Sequence, residues 1–490
     1  MKSIIFNPKY SLKPDDGRAL ILASLVGRNL LEEVEDSFTN IVHPIYAMLL
    51  CFMNGDSYDT CIEKAANEIG VPKELIASFV DDLLDNSNSV AYKTDDGLSV
   101  FPPYTIITQS ENIIKNRYTP DLFYYKTIDL CQKRHMTPTT VTLMVNNVCV
   151  TNCIYCYQDK SRVSNCIIPL ERIKEIINQA YKLNVNTFDV IGGEFFLYKY
   201  WKEVLAELRR FGYNPYLSTK MPLEESDIEY LSELGVYDIQ ISIDTFIEEH
   251  LKDSIGINKG YANKILNTIK TLDKYGIKIM VHSVLTKYNQ SVQDMDSIYK
   301  VLQELKNLSC WHVVKGEETL YPKKDYKEIE IDNYALNEII DYLTEKSKEG
   351  KVKIVHPQGI SNSNDDKKEL PKIIKEKFFN RSFCSGLFSS LYILPDGQVT
   401  ICEQLYWNKR FIIGNIMEND LEDIWNSETA KKLYYIKQDE FPADSICRTC
   451  ADFHKCRDNR QVCYREIIKK YGKEKWYYPD VNCPYAKKQG

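Results

Sequence analysis

Most of this chain is poor in cysteine, contains no long apolar run and carries no cluster of basic residues. Each absence removes a class of reading. No stretch approaches the roughly 20 apolar residues that a membrane span needs, and Met1 to Tyr10 holds no apolar segment of the secretory-signal kind. A cytoplasmic protein without membrane contact is the expectation. The formal net charge is −7, the pI is near 5.7, and no Lys/Arg run offers an electrostatic footprint for phosphate backbones, so nucleic acid is not expected as a partner. Hydrophobic residues at 44% and charged residues at 27% exclude a disordered or fibrous chain. At 490 residues the chain exceeds what one hydrophobic core usually serves.

What is present is cysteine in two bursts. Of 15 cysteines, Cys51, Cys61, Cys131, Cys166 and Cys310 are scattered and read as small buried hydrophobes. The first burst is Cys149, Cys153 and Cys156. The second runs from Cys384 through Cys402, Cys447, Cys450, Cys456 and Cys463 to Cys483. In a reducing compartment such clusters point to metal or catalysis rather than to disulfides.

Residues 1–105 show strand-like runs at Ile4 to Phe6 and Ala19 to Val26, helical patterns near 42–53, 58–69 and 72–86, and a hairpin around Asp95-Asp96-Gly97. That order is a winged-helix pattern. Residues 106–137 are polar, Tyr-rich and expected to be a linker. Over 138–320 the pattern changes to strands near 140–146, 186–191, 214–218, 237–243, 277–285 and 310–314 with amphipathic segments between them. Six such repeats imply an α/β fold with right-handed crossovers and a parallel sheet, open or curled toward a barrel. Residues 321–379 hold a bridging helix around 331–348 and a charged linker, Asp365 to Glu369. Residues 380–490 are expected to be irregular, with metals in place of a hydrophobic core.

In parallel α/β folds ligands collect at the carboxyl ends of the strands. The three-cysteine loop follows the first strand there. Gly192-Gly193-Glu194 follows the second, Ser218-Thr219-Lys220 the third, and Ser242 and Asp244 end the fourth. Four polar motifs are thus expected on one rim. Three thiolates spaced C-x3-C-x2-C can hold three irons of a cubane cluster and leave the fourth iron open for chemistry. A zinc knuckle asks for four ligands.

With Tyr155 before the last cysteine, the loop resembles the signature of the radical S-adenosylmethionine (SAM) superfamily position for position. The resemblance implies a partial (β/α)6 barrel in which SAM chelates the open iron and is cleaved by electron transfer to methionine and a 5′-deoxyadenosyl radical. Gly192, Gly193 and Glu194 resemble the family's GGEP motif, with Phe195 in place of proline, which implies contact with the SAM amino group. Ser242 and Asp244 match its serine–x–aspartate pair near the ribose, a helix cap being the competing role for Asp244. Where many relatives carry an arginine for the SAM carboxylate, this chain has Lys252-Asp253-Ser254-Ile255-Gly256. Lys220 is expected to supply that charge, and Tyr155 and Ser218 complete the expected SAM contacts.

The second burst, with Gly397 between its first two cysteines and Gly414-Asn415-Ile416 downstream, resembles the SPASM domain of peptide-modifying radical SAM enzymes. That implies two auxiliary clusters, the inner held by Cys384, Cys402 and Cys463, the outer by Cys447, Cys450, Cys456 and Cys483. With the SAM cluster the expected total is three [4Fe–4S] clusters. Arg460 stands where the family places a cysteine, so Cys463 takes that role. Seven cysteines then serve eight irons, leaving one iron for another ligand or a substrate thiolate. A zinc ribbon is the competing reading of the Cys447 group.

The N-terminal pattern resembles the leader-binding element of enzymes that mature ribosomally made peptides (RiPPs), in which the leader adds as a strand; a DNA-binding wing is its rival. Together these resemblances imply a RiPP maturase that acts on a precursor peptide, leader plus core, and draws electrons from a flavodoxin or ferredoxin. Thioether formation of the sactipeptide or ranthipeptide type is the leading expectation. Carbon–carbon crosslinking, epimerisation or decarboxylation would use the same parts. Sulfatase or quinohaem-protein maturation and a non-enzymatic metal-binding scaffold are the alternatives.

Overall fold

The computed structural model describes residues 3–24, 39–108, 118–161, 163–358 and 371–489. The strand end expected at Val26 and the charged stretch Asp365 to Glu369 lie outside the described residues.

The first strands are β1 (Ser3–Phe6), β2 (Tyr10–Asp15), β3 (Arg18–Ala23) and β4 (Thr39–Val42). Helix α1 (Pro44–Cys51), strand β5 (Asn54–Ser57) and helices α2 (Tyr58–Ile69) and α3 (Lys73–Leu83) follow, then the hairpin β6 (Val90–Thr94) and β7 (Gly97–Phe101), and β8 (Ile106–Thr108). Strands β2, β3 and β4 form one antiparallel sheet, and β1 lies between β5 and β8 in another. The local reasons are ordinary. Ser57 caps α2 by accepting the Thr60 N–H, and Gly70, at φ 75°, ends it in the left-handed region. Leu12, Ile21, Val42, Leu50, Val80 and Phe101 share a core of their own.

The segment expected to be a linker is in part built into this unit. β8 pairs with β1, and Phe123 is fully buried in the same core. Two buried cations explain the ordering. Arg18 pairs with Asp15 at 2.7 Å and donates to the carbonyls of Cys131 and Lys133, while Lys13 donates to Thr137 Oγ1 at 2.6 Å and to Leu183 O at 3.1 Å. A buried charge needs such acceptors, and residues 131–137 supply several of them.

Six βα repeats follow: β9 (Thr140–Met144), α4 (Leu170–Lys182), β10 (Thr187–Ile191), α5 (Trp201–Arg210), β11 (Ser218–Thr219), α6 (Glu225–Glu233), β12 (Asp238–Ser242), α7 (Glu248–Ile255), α8 (Tyr261–Lys274), β13 (Lys278–Leu285), α9 (Val292–Leu302) and β14 (Leu308–Lys315). Beyond α10 (Tyr326–Ile329) and α11 (Asn333–Lys348), a short β15 (Ile354–Val355) extends the parallel order β11-β12-β13-β14-β15. Alternate residues Ile239, Ile241, Ile279, Val281, Trp311 and Val313 are buried in the large core. Period-2 alternation turns Gln240, Ser242, His282 and His312 to the opposite face.

The C-terminal region departs from the irregular, core-less region expected. After α12 (Pro371–Phe379), strand β16 (Ser390–Ile393) pairs in parallel with β9, Ser390 opposite Thr140 and Ile393 opposite Leu143. β17 (Gln398–Thr400) and β18 (Ile412–Asn415) continue that sheet. Leu391, Ile393, Val399, Phe411 and Trp425 join the same core as Val141 and Leu143. Helices α13 (Leu421–Trp425), α14 (Glu428–Tyr434), α15 (Phe453–Arg460) and α16 (Tyr464–Tyr471) complete the region. Arg134 clamps it: its guanidinium lies 3.9 Å from the Trp425 ring centre and donates to Leu387 O at 2.7 Å and Trp425 O at 2.6 Å.

Candidate functional site

The three-cysteine loop leaves β9 and is fixed at both its ends and its middle. Asn146, 2% exposed, follows β9 and holds the second motif: its side-chain carbonyl accepts from the N–H groups of Gly193 and Glu194, and its amide donates to Glu194 O at 2.9 Å. In mid-loop, Asn152 N–H donates to Ile255 O at 2.7 Å and Ile154 N–H to Ser254 O at 3.0 Å. The stretch after β12 that lacks an arginine therefore anchors the loop through its backbone. Gly193 faces the loop so closely that an added Cβ would lie 2.2 Å from Val148 O. The glycine is required by this approach. The Gly192 carbonyl accepts the side-chain amide of Gln158.

Around the loop Tyr155, Glu194, Lys220 and Asp244 form one connected network. Asp244 is fully buried; its Oδ2 accepts the Tyr155 hydroxyl and lies 3.2 Å from Lys220 Nζ, and its Oδ1 accepts Val284 N–H at 2.9 Å. Lys220 is thus paired with Asp244 rather than free, and its ammonium also lies 5.7 Å from the Tyr155 ring centre. Glu194, 4% exposed, accepts from the Thr219 hydroxyl at 2.8 Å and from Lys220 N–H at 3.3 Å. Burial pushes its carboxyl up to about 7 against the pull of these donors. Thr219, not Ser218, meets Glu194. Ser218 belongs to a different set, in which the Gln240 amide donates to Ser218 Oγ at 2.7 Å and to Ser242 Oγ at 3.0 Å.

Sequence reasoning missed Asn146, Gln240 and two histidines. His282 lies opposite Ser242 on the neighbouring strand, and His312 opposite His282 on the next, ring centres 6.1 Å apart. Burial and the nearby Lys220 ammonium lower the His282 imidazolium to about 4. A lone histidine on an apolar strand carries no signal of its own; only the register places these two beside Ser242.

The three thiols suit an iron–sulfur cluster. Lys160 Nζ donates to Cys149 Sγ at 3.2 Å, and the Thr151 hydroxyl lies 3.3 Å from Cys153 Sγ. Burial raises the Cys149 thiol to about 11, so only metal ligation would hold it as thiolate.

The seven C-terminal cysteines divide into two groups. Cys447, Cys450, Cys456 and Cys483 line one cavity together with Phe453, Arg457 and Asp480. Arg457, 3% exposed, has a buried Nη1 with no hydrogen-bond partner and its Nη2 3.8 Å from Cys447 Sγ. An unpartnered buried guanidinium N–H beside thiols fits an anionic cluster. Among the described residues no group of three or more His, Cys, Asp or Glu side chains closes on a single metal ion; the thiols ring a space instead. Cys384, Cys402 and Cys463 form the second group, close enough for their charges to act on one another. Of the scattered cysteines, Cys51, Cys61 and Cys310 are buried as expected, whereas Cys131 is exposed.

The family models match the same two regions: the Radical SAM superfamily over residues 143–302, and the SPASM iron–sulfur cluster-binding domain over residues 384–451. The chain is a radical SAM enzyme with a SPASM extension. This enzyme is 22% identical over 354 residues to the antilisterial bacteriocin subtilosin biosynthesis protein AlbA of Bacillus subtilis, covering 72% of each chain. It is 24% identical over 291 residues to the sporulation killing factor maturation protein SkfB of the same organism, covering 59% of this chain and 64% of that one. In fold it resembles Streptococcus suis SuiB bound to precursor peptide SuiA, at 15% identity, a TM-score of 0.63, and coverage of 99% of this chain and 100% of that one. SuiB bound to SAM gives a TM-score of 0.62 at the same identity. No helix among the described residues is long and apolar enough to cross a membrane.

When bound, SAM and its cluster supply a carbon radical able to remove hydrogen from an unactivated carbon. The chain's own residues do the rest. Asp244 fixes Tyr155 and Lys220 against the cysteine loop, Glu194 ties the second and third rim motifs together, and Gly193 lets both approach. The site is thereby preorganised before any ligand enters.

Proposed function

We propose that the enzyme matures a ribosomally made precursor peptide in the cytoplasm: the 5′-deoxyadenosyl radical would remove one hydrogen atom from a core residue, and the carbon would be joined to a cysteine sulfur as a thioether with release of the thiol proton, the second electron passing to an auxiliary cluster. The observation that carries the reading is the pairing, in one chain, of the preorganised three-cysteine rim with two further groups of cysteines, together with likeness to AlbA and SkfB across much of the chain. In this reading Cys149, Cys153 and Cys156 hold the SAM cluster. Tyr155, Gly192, Gly193, Glu194, Ser218, Lys220, Ser242 and Asp244 surround SAM. Cys384, Cys402 and Cys463 hold the inner auxiliary cluster, and Cys447, Cys450, Cys456 and Cys483 the outer. A flavodoxin or ferredoxin delivers the electron that cleaves SAM.

Residues 1–105 are read as the leader-binding unit. Among the described residues strand β4 is hydrogen-bonded as a strand to β3 alone, with β7 packed against it, and in this reading the leader adds as a strand to the sheets of this unit. The barrel then occupies 138–320, with 321–379 bridging to the SPASM region at 380–490.

The test is anaerobic turnover with SAM, dithionite and the small peptide encoded beside the gene. A thioether removes two hydrogens from the peptide and blocks alkylation of one cysteine thiol. Loss of two hydrogens with every thiol still alkylated would assign a carbon–carbon crosslink instead, and formation of 5′-deoxyadenosine without any change in the peptide would reject that peptide as substrate.

A further inference from the structure

The inner wall of the barrel divides into a part whose polar side chains bond to one another and a part whose polar side chains do not. On β12 the Gln240 side chain is engaged at both ends: its amide donates to Ser218 Oγ at 2.7 Å and Ser242 Oγ at 3.0 Å, and its carbonyl accepts the Tyr216 hydroxyl. On β13 and β14 the same face continues as His282 and His312, in register with each other and, through His282, with Ser242. Both rings are half-buried, with centres 6.1 Å apart, and neither makes a hydrogen bond among the described residues.

Met280 pairs with Cys310 on one side of the two rings and Val284 with Val314 on the other, all on the same face. Two hydrogen-bonding groups thus stand in an apolar wall. A pocket orients a ligand with that composition, apolar area giving contact and a few polar atoms giving direction. Each neutral imidazole offers one donor and one acceptor. Burial lowers both imidazolium groups, aided at His282 by the Lys220 ammonium, and Lys220 is itself paired with Asp244. Neither ring therefore brings a positive charge for a carboxylate. Every residue expected to contact SAM lies on β9 to β12 or in the loops that follow them, which leaves the inner face of β13 and β14 for another occupant.

We propose that His282 and His312 are specificity-determining contacts for the precursor peptide, taking between them a core residue whose apolar stem ends in a neutral hydrogen-bonding group, an amide or a hydroxyl. Val284 lies nearer the rim, where its N–H meets Asp244 Oδ1 at 2.9 Å, and with Val314 it covers the stem. The imidazoles meet the polar end. Such a site discriminates more sharply than an apolar one, because a residue without the polar group leaves the imidazoles unpaired once water is displaced. The inference deepens the peptide-maturation reading given above and rests on it. The adenosine of SAM also carries neutral hydrogen-bonding groups, so the test separates the two occupants.

The experiment is anaerobic turnover of the holoenzyme with SAM, dithionite and the small peptide encoded beside the gene, alongside equilibrium dialysis with SAM in the absence of peptide. His312→Leu and His282→Leu should each lower kcat/KM for the peptide about tenfold, the order of one lost hydrogen bond. His312→Gln keeps a neutral donor and acceptor and should recover most of that loss, which a packing role would not allow. Replacing each neutral polar core residue of the peptide in turn by its apolar isostere (Thr→Val, Asn→Leu, Tyr→Phe) should reveal one sensitive position. There the isostere should lower turnover by the wild type about tenfold and by His312→Leu no further, and Asp should fare no better than the isostere. If one variant fails to load iron, the other variant and the peptide series on the wild type still decide. Equal loss with Gln and Leu, a peptide series with no sensitive position, or acceptance of Asp would overturn the inference. So would a fall in SAM affinity matching the fall in kcat/KM, which would give the rings to SAM. A modified peptide indifferent to both Leu variants overturns the inference alone, whereas 5′-deoxyadenosine formed by the wild type with the peptide unchanged overturns maturation of that peptide and the inference with it.

Discussion

Cys149, Cys153 and Cys156 come from one loop, whereas the seven C-terminal cysteines are collected from loops, turns and helices between Cys384 and Cys483. The first set is held by hydrogen bonds to its neighbours: Asn146, the carbonyls of Ser254 and Ile255, and the Asp244 network. The second set is held by a core, through β16 in the barrel sheet and Trp425 under Arg134. A local loop can be assembled by spacing alone. A dispersed set must be brought together by packing, so its integrity depends on residues that carry no chemistry.

This contrast is broken most directly by removing one cysteine from each set. Cys153→Ala should abolish 5′-deoxyadenosine formation to the level seen without protein and remove about four irons, since three ligands are already the minimum for an open-iron cubane. Cys456→Ala should also cost about four irons yet keep SAM cleavage within about tenfold, because its cavity lies outside the SAM network. Its peptide product should disappear. Anaerobic iron assay and product chromatography read both, and equal loss of SAM cleavage in the two variants would contradict the division of labour.

The same contrast explains what could be read from sequence. The cysteine loop, the glycine pair and Asp244 are short motifs whose positions at strand ends follow from the βα alternation, so the rim was legible. Four-residue β16 carries too little pattern to announce a strand, and its partner β9 lies far away in the chain, so the shared core was not. Phe123 and the acceptors of Arg18 sit in a polar stretch where one buried aromatic gives no period. His282 and His312 become a pair only through the register of β13 and β14. Lys220 was placed on the rim by its position, but its ion pair with Asp244 is a three-dimensional fact.

Within the first site, Asp244→Ala should have the next largest effect. Lys220 and Asp244 are 15% and 0% exposed in their side chains, and removing one partner of a buried pair leaves an uncompensated charge, at a cost of about 3–5 kcal/mol. The Tyr155 hydroxyl loses its acceptor at the same time. SAM affinity should fall roughly 10- to 100-fold while auxiliary iron stays in place, as for a lost supporting contact. Equilibrium dialysis with SAM and thermal unfolding measure the two effects. Intact SAM binding would leave Asp244 with a purely structural part.

The smallest expected effect belongs to Glu194 and is read by pH, at the one-loop site alone. Its carboxyl is raised from 4.5 to about 7, chiefly by burial, so the folded protein keeps this proton at pH values where the unfolded chain has lost it. Between those two values, rising pH stabilises only the unfolded chain, and stability falls across that window and is flat above it. The full shift corresponds to about 3 kcal/mol. Glu194→Gln removes the titrating group, so unfolding midpoints of the SAM-free holoenzyme, followed from pH 5.5 to 7.5 (roughly the upper half of the window), should fall in the wild type and stay level in the variant. Because Glu194 joins the second and third rim motifs and the C-terminal strands share the barrel's core, the loss should appear in the common unfolding of barrel and C-terminal packing. Parallel pH profiles for the two proteins would show that its hydrogen bonds from Thr219 and Lys220 outweigh burial, and that Glu194 is an anion throughout.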